Sequence, residues 1–193
     1  MLPGNPAGIK FYEMDFKKLK STVSRNGKVL IRPLKRSDLY QLIKWLKNPE
    51  INKFLSSDFS DLDSEKEERW FREMSLSVND FVFAIETRQE KKYIGNCGLH
   101  KINWGEKKAD FGIAIGDKNY WGKGYGRDAI GAAIKFAFKK LGLEKIALSV
   151  YEYNKRAIKS YTKCGFKKKE ILKKDHLYNN IYWDTIIMEI KVE

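Results

Sequence analysis

The sequence predicts an α+β domain in which about four helices flank a mixed, strongly twisted sheet of six or seven strands. Two observations lead to this prediction. Short apolar runs bounded by turn residues alternate with segments of helical periodicity, and three glycines at alternate positions join a strand to a helix. At 193 residues the chain is long enough to bury one core of its own.

The first half of the chain supplies an extension, the opening strand, two helices and a hairpin. We expect residues 1–27 to form an N-terminal extension, whose Phe11, Phe16 and Leu19 either hold a short helix against the body or leave it loose. The domain itself is expected over residues 28–193. Its first predicted elements are a strand at 28–34, a helix from Ser37 or Asp38 to about Lys47, a helix at 64–74 opened by a capping box of Ser64 and Glu67, and antiparallel strands at 81–86 and 93–100.

The second half alternates strands and helices and ends in a hairpin. Apolar residues recur at helical spacing over 129–141, and Asn179 with Asn180 is typical of a two-residue hairpin turn. The predicted elements are a strand at 111–115, a helix at 129–141, a strand at 145–151, a helix capped by Asn154 and ended by Gly165, and strands at 171–178 and 181–190.

The glycine loop, residues 122–126, predicts a site for an anion such as a pyrophosphate. Glycines at alternate positions let several backbone N–H groups converge, and the helix that follows adds the positive end of its dipole. The spacing Gly-x-Gly-x-Gly fits neither the dinucleotide-binding fingerprint nor the Walker loop. A tight turn whose glycines serve only packing is the alternative interpretation.

The order strand, glycine loop, helix, strand, Asn-capped helix and Gly165-Phe166 resembles the GNAT superfamily of acetyl-CoA-dependent N-acetyltransferases over roughly 28–191. Within that superfamily the chain is similar to the branch that contains ribosomal-protein N-terminal acetyltransferases and spermidine acetyltransferases. The resemblance implies the GNAT fold and an acyltransferase. Trp121 departs from the family loop, where Gln or Arg is usual, but backbone amides rather than this side chain are expected to bind the phosphates.

The resemblance also implies acetyl-CoA as cosubstrate, in a cleft between the strand before the loop and the strand that carries Ser149. The N–H groups of Ile113 and Ile115 would stabilise the developing oxyanion, and Asn154 would contact the pantetheine arm as well as cap its helix. The loop would hold the phosphates. The predicted donor-binding residues are Ile113, Ile115, Trp121, Gly122, Lys123, Gly124, Tyr125, Gly126, Arg127 and Asn154.

Tyr161 and Ser149 are the candidate catalytic residues. Tyr161 matches the family's tyrosine, and a phenol with a pKa of about 10 stays protonated at neutral pH, so it is the candidate proton donor to the departing thiolate. Its alternative role is that of a core aromatic. Ser149 could relay a proton or hold a water, and an ordinary strand hydroxyl is an equal alternative. The weaker acidic candidates are Asp110, Glu170, Asp175 and Asp184, so no general base is assigned.

The expected acceptor is a primary amine, in first place the N-terminal α-amine of a protein. Such an amine has a pKa of about 8, whereas a polyamine-type amine near 10.4 costs about 4–5 kcal/mol to deprotonate at pH 7. Polyamine, amino-sugar and aminoglycoside acetylation are the alternatives, and the net charge of +13 weighs against a polyamine. From another class, the alternative is a non-catalytic acyl-CoA sensor or an RNA-associated module.

The positive charge is spread along the chain, and its densest cluster is at 167–174. We attribute most of it to solvated surface, then to attraction of the acidic coenzyme, and last to nucleic acid. Cys97 and Cys164 predict reduced thiols in the core. With only two histidines, His100 and His176, no metal is expected.

The hydropathy of the sequence bears on location and partners. It shows no apolar run of membrane-spanning length and no signal sequence, so a cytoplasmic protein without a membrane partner is expected. Dimers are frequent in the branch that the chain resembles, which leaves a homodimer as an open alternative.

Overall fold

The computed structural model describes residues 14–57, 59 and 61–192, and Phe11 lies outside these ranges. The described strands are β1 (Ser24–Asn26), β2 (Val29–Pro33), β3 (Phe81–Thr87), β4 (Tyr93–Asn103), β5 (Lys108–Ile115), β6 (Lys145–Tyr151), β7 (Lys167–Tyr178) and β8 (Ile181–Lys191). The described α-helices are α1 (Phe16–Lys20), α2 (Leu39–Leu46), α3 (Pro49–Asn52), α4 (Ser64–Leu76), α5 (Tyr125–Lys140) and α6 (Lys155–Lys163).

The mixed α+β fold predicted from the sequence is confirmed, with eight strands and six helices in the described ranges. Both counts exceed the prediction because β1, α1 and α3 are too short to show a periodic pattern. β1 and α1 lie within the segment predicted as an extension. Their described part packs on the body: β1 pairs with β2, the Phe16 ring lies 5.6 Å from the Trp104 ring, and Lys20 Nζ donates to the Asp80 carbonyl at 2.9 Å.

The sheet has the order β1-β2-β3-β4-β5-β6-β8-β7, and β5 with β6 is its parallel pair. That pairing runs from Lys108 opposite Lys145 only to Asp110 opposite Ala147. Both strands continue beyond this point, β5 to Ile115 and β6 to Tyr151. The two strands therefore part at their carboxyl ends, where the sequence predicts the donor cleft.

Helix α5 covers one face of the sheet, which we call the α5 face. Phe136 of α5 packs on Phe81 and Phe83, with ring centroids 5.7 and 4.9 Å apart, and all three are about 1% exposed. Burying one such phenylalanine contributes about 1.5–3 kcal/mol. The sequence indicated the apolar stripe of α5 but not Phe136 as its central contact.

The opposite face, which we call the α2 face, carries a buried ion-pair network. Arg32 contacts Asp38 and Glu86 at 2.7 Å each, and Asp38 lies just before α2. The strand register shows which residues of the neighbouring strands share this face. Arg32 stands opposite Ala84, Ala84 opposite Asn96 and Asn96 opposite Ala114. Residues directly opposite each other project to the same side of a sheet.

Several local predictions are confirmed, and one helix cap and one helix start are corrected. Asn154 caps α6 by accepting from the Ala157 N–H at 3.2 Å, and Asn179 with Asn180 forms the hairpin turn at φ of 51° and 56°. The capping box of Ser64 and Glu67 is wrong, because Asp63 is the N-cap of α4 and accepts from the Lys66 N–H at 2.8 Å. Helix α5 starts at Tyr125 rather than residue 129, so the last loop glycine lies in its first turn.

Three further observations concern thiols, membranes and metals. Cys97 is buried and Cys164 is partly buried, and both are free thiols. Across the described ranges, no helix is long and apolar enough to cross a membrane. The same ranges hold no group of three or more His, Cys, Asp or Glu side chains placed to bind a metal ion.

Candidate active site

A cleft of about 790 Å³ opens where β5 and β6 part. The fold brings to it every predicted site residue except Tyr125. Those that line it are Ile113, Ile115, Ser149, Trp121, Gly122, Lys123, Gly124, Gly126, Arg127, Asn154 and Tyr161.

Tyr125 is placed differently from the other predicted residues. Its ring packs edge-on against Tyr120, with centroids 4.9 Å apart, and the Lys28 ammonium lies 5.4 Å from its centroid. As the first residue of α5, Tyr125 offers the loop its backbone N–H and not its side chain.

The backbone of β5 presents unpaired groups to the cleft. The Gly116 N–H donates to the Ile94 carbonyl on β4 at 2.9 Å, and antiparallel bonding alternates along a strand. The N–H and C=O of Ile113 and Ile115 therefore point away from β4, toward the gap left by β6. From that side the Trp121 Nε1–H donates to the Ile115 carbonyl at 2.6 Å, which leaves the two N–H groups for a ligand.

The loop glycines are not explained by packing. Gly122 and Gly124 have φ of +73° and +89°, which favour glycine, and a Cβ added at either would meet no atom within 4 Å. At Gly126 an added Cβ would meet Ile115 Cγ1 at 3.7 Å, an ordinary contact. The space in front of the loop is open, which disfavours the interpretation of the glycines as a packing turn.

The start of α5 has no capping side chain. Its N-cap is Gly124, so the first N–H groups of the helix lack a side-chain acceptor. The acidic residue of the first turn, Asp128, is turned to the opening of β2, where its Oδ2 accepts from the Lys28 N–H at 2.9 Å. An anion can therefore meet these N–H groups and the helix dipole without facing a carboxylate.

Six basic side chains line the cleft, and none of the described lining residues is acidic. Lys123 and Arg127 come from the loop and first turn, as the sequence predicts. The sequence analysis missed the four that α6 adds, which are Lys155, Arg156, Lys159 and Lys163. The signal was present, because three lysines spaced by four residues share one side of a helix. Charge that looks evenly spread along the chain is thus gathered by the fold.

Arg156 is the most specifically placed of these cations. Its guanidinium lies 3.9 Å from the centroid of the Trp121 indole, a cation–π contact. Partial burial lowers the pKa of Arg156 from its ordinary value, but the group stays charged at neutral pH. Trp121 stands at a loop position where Gln or Arg is usual in the family that the chain resembles. In this protein its ring contacts an arginine of α6 at the cleft.

Tyr161 is both a core residue and a cleft residue. Only 6% exposed, its ring packs on Phe166 with centroids 5.8 Å apart. Burial raises the pKa of Tyr161, which keeps the phenol protonated at neutral pH. Among the described residues its hydroxyl has no hydrogen-bond partner, so it is available to a ligand in the cleft.

The polar side chains of β6 and the α6 cap complete the site. Ser149 is exposed on the α2 face, two residues before Tyr151. Asn154 uses its Oδ1 for the helix cap, which leaves its Nδ2 for a ligand. No described lining residue is a carboxylate or an imidazole, and the weak candidate Asp184 is bound to Lys173 at 2.7 Å.

A comparison with known families matches residues 28–167 to the family described as acetyltransferase (GNAT) domain. The chain belongs to the GNAT acetyltransferase family. It is accordingly an acyltransferase, an acetyl-CoA-dependent N-acetyltransferase of the GNAT type, as the sequence predicts.

The chain is also similar to individual proteins of known sequence or structure. The chain is 30% identical over 165 residues to spermidine N(1)-acetyltransferase of Vibrio cholerae, covering 86% of this chain and 94% of that protein. It is 28% identical over 146 residues to an uncharacterised protein of Methanocaldococcus jannaschii, of which it spans only 29%. Among solved structures, the V. cholerae spermidine N-acetyltransferase in complex with CoA and spermine is 28% identical with a TM-score of 0.80, over 86% of this chain and 96% of that one.

Proposed function

We propose that this GNAT enzyme transfers the acetyl group of acetyl-CoA to a primary amine of a polyamine. The relative named for spermidine acetylation, and the solved neighbour that holds CoA and spermine, support this acceptor better than the protein N-terminal amine expected from the sequence. The reaction is a direct attack of the neutral amine on the thioester carbonyl.

The observation that carries the donor part of the proposal is the convergence of unpaired backbone N–H groups and cations on one cleft. The loop and the start of α5 bind the pyrophosphate, and the basic face of α6 binds the remaining phosphate charge. Asn154 Nδ2 donates to the pantetheine arm. The N–H groups of Ile113 and Ile115 stabilise the thioester oxygen, and the Tyr161 hydroxyl donates to the departing sulfur.

The net charge of +13 does not disfavour a polyamine acceptor when the positions of the charged side chains are considered. The cations that line the cleft come from the loop and α6. On the α2 face the parted strands carry Ala114, Ser149 and Tyr151, which are uncharged. Tyr151 lies beside the aromatic ring of Tyr153. Its pKa is raised, first by burial and then by the nearby negative charge of Asp175. Aromatic faces and a carboxylate are suited to an alkylammonium.

The proton on the acceptor sets the pH dependence. A polyamine nitrogen with a pKa of about 10.4 is almost fully protonated at pH 7, and the described cleft lining offers no carboxylate or imidazole base. The proton must then leave before attack, through water. We expect kcat/KM for the amine to rise about tenfold per pH unit between pH 7 and 9.

A panel of acceptors tests the proposal by measuring the release of free CoA thiol. Spermidine and spermine should give kcat/KM at least about 100-fold above that of a peptide with a free α-amine. An amino sugar and an aminoglycoside complete the panel. A higher kcat/KM for the peptide than for the polyamines would overturn the polyamine assignment and favour the protein N-terminus. A panel in which no amine reacts would refute both acceptors.

A further inference from the structure

Strand β7 carries a bulge in which three residues stand opposite one residue of β8. Leu172 pairs with Thr185 and His176 with Trp183, so residues 173–175 stand opposite Asp184 alone. Asp184 holds the bulge, because its carboxylate accepts from the Lys174 N–H at 3.0 Å and from Lys173 Nζ at 2.7 Å. Bulges of this kind re-aim the side chains that follow them.

His176 is the first residue of β7 that pairs with β8 again after the bulge. Its ring stacks on Tyr151, with centroids 3.8 Å apart and planes within 11°, and its Nε2 lies 3.2 Å from the Tyr153 hydroxyl oxygen. The Tyr153 hydroxyl donates to the Lys53 carbonyl. Because a hydroxyl has one hydrogen to give, Tyr153 accepts from His176, and Nε2 is therefore the nitrogen that carries a proton.

This chain of contacts ends at the wall of the cleft. Lys53 directly precedes Phe54 and Leu55, which both line the cleft, and the Phe54 ring lies 5.9 Å from the Tyr153 ring. At the other end, Tyr151 is two residues beyond Ser149 on the same face of β6. The network thus joins the bulge to Tyr151 of β6 and, through Lys53, to the cleft wall at Phe54 and Leu55, and none of its hydrogen bonds involves the glycine loop.

We propose that His176 is a positioning residue for the acceptor amine. Through Tyr153 it holds Phe54 and Leu55 against the cleft, and it keeps Tyr151 in place beside Ser149. This inference rests on the proposed function, because it assigns the α2 face to the amine. It adds that acceptor affinity, and not donor affinity, depends on a histidine that lies outside the cleft.

Three variants separate the parts of the network. His176→Phe keeps a flat ring on Tyr151 and removes the Nε2–H, Tyr153→Phe removes the hydroxyl and keeps its ring, and His176→Gln restores a donor without an aromatic ring. Tyr182→Phe is the matched control, because Tyr182 is 62% exposed on the neighbouring strand and outside the network. We expect KM for spermidine to rise about fivefold to tenfold in His176→Phe and Tyr153→Phe, less in His176→Gln, and not in the control. The Kd for acetyl-CoA should stay within about twofold of wild type.

Hydrogen exchange of the amides in residues 52–57 gives a readout that needs no acceptor. Exchange should be faster in His176→Phe and Tyr153→Phe than in wild type and Tyr182→Phe, at an unchanged unfolding midpoint. Unchanged exchange, or a loss of acetyl-CoA affinity that parallels the rise in KM, would overturn the positioning role. If wild type acetylates no amine while exchange responds as expected, the proposed function fails and the link from His176 to the cleft wall stands.

Discussion

The two sides of the cleft are built in different ways. The side proposed for the donor is made from the end of β5, the glycine loop, α5, β6 and α6, which follow one another in the chain. The side proposed for the acceptor brings Phe54 together with Tyr151, Tyr153 and His176, which lie about a hundred residues or more further along the chain. One side presents backbone N–H groups and positive charge, and the other presents aromatic rings.

This difference explains which parts of the site a sequence discloses. A backbone anion site leaves a local signature, because only glycine takes the φ of Gly122 and Gly124 easily. An aromatic wall leaves none, because Tyr, Trp and Phe are equally at home in a core. Two of the following variants test the donor side of this comparison, and a third tests a buried acid that lies outside the cleft lining.

The largest effect is expected for Tyr161→Phe, which removes one oxygen from the donor side. Loss of a positioned proton donor typically lowers kcat by about 100-fold to 1,000-fold. Acetyl-CoA affinity should change little, because the buried ring that packs on Phe166 is kept. Steady-state kinetics and calorimetry measure the two quantities, with Tyr40→Phe, 70% exposed, as the control. A variant with full turnover would remove Tyr161 from the chemistry.

Glu67→Gln probes a buried acid of α4, away from the donor side. Glu67 is 3% exposed, its Oε1 has no partner among the described residues, and burial raises its pKa to about 7 from 4.5. The carboxyl is protonated in the folded state at a pH where the unfolded chain has lost that proton. The contribution of Glu67 to stability is therefore greatest below about pH 4.5 and is lost as the pH rises through 7.

The substitution should raise the free energy of unfolding at pH 8 by up to about 3 kcal/mol and flatten its pH profile between 4.5 and 7. Urea unfolding at several pH values measures this, and Glu65→Gln on the exposed side of the same helix is the control. A profile identical to that of wild type would show that Glu67 is ionised in the folded protein.

Arg156→Ala gives the smallest effect and separates cations from backbone on the donor side. The guanidinium on Trp121 should contribute to coenzyme binding, so Kd for acetyl-CoA rises about tenfold and its dependence on salt weakens. Lys139→Ala, at the far end of α5, removes the same charge without touching the cleft. Equal losses in both variants would mean that only net charge matters.

The sequence was sufficient for the donor side and insufficient for the acceptor side. The strand–loop–helix signal and the Asn154 cap predicted the fold and placed almost every donor residue at the cleft. The basic face of α6 was overlooked because charge was counted along the chain. The net charge of +13 was counted against a polyamine for the same reason, since a net charge says nothing about where the charges lie.

The contacts of His176, on which its proposed role rests, could not have been predicted from the sequence. Its position depends on the bulge at residues 173–175, and a register shift changes which side chains meet. No local pattern marks Asp184 as the residue that holds this bulge. Contacts between segments that are distant in the chain are the part of this site that the sequence does not predict.

The central claim is that the glycine loop binds acetyl-CoA through its backbone. Calorimetric titration of acetyl-CoA into wild type, Gly126→Glu and Gly126→Gln tests it most directly. A Cβ added at residue 126 fits the fold, because its nearest contact is 3.7 Å away, so both variants should fold. Their longer side chains should occupy the space in front of the loop where the phosphates are proposed to bind. We predict micromolar binding by wild type and at least about 100-fold weaker binding by Gly126→Glu, with Gly126→Gln between them. Equal affinity in all three proteins, or no binding by any of them, would contradict the claim.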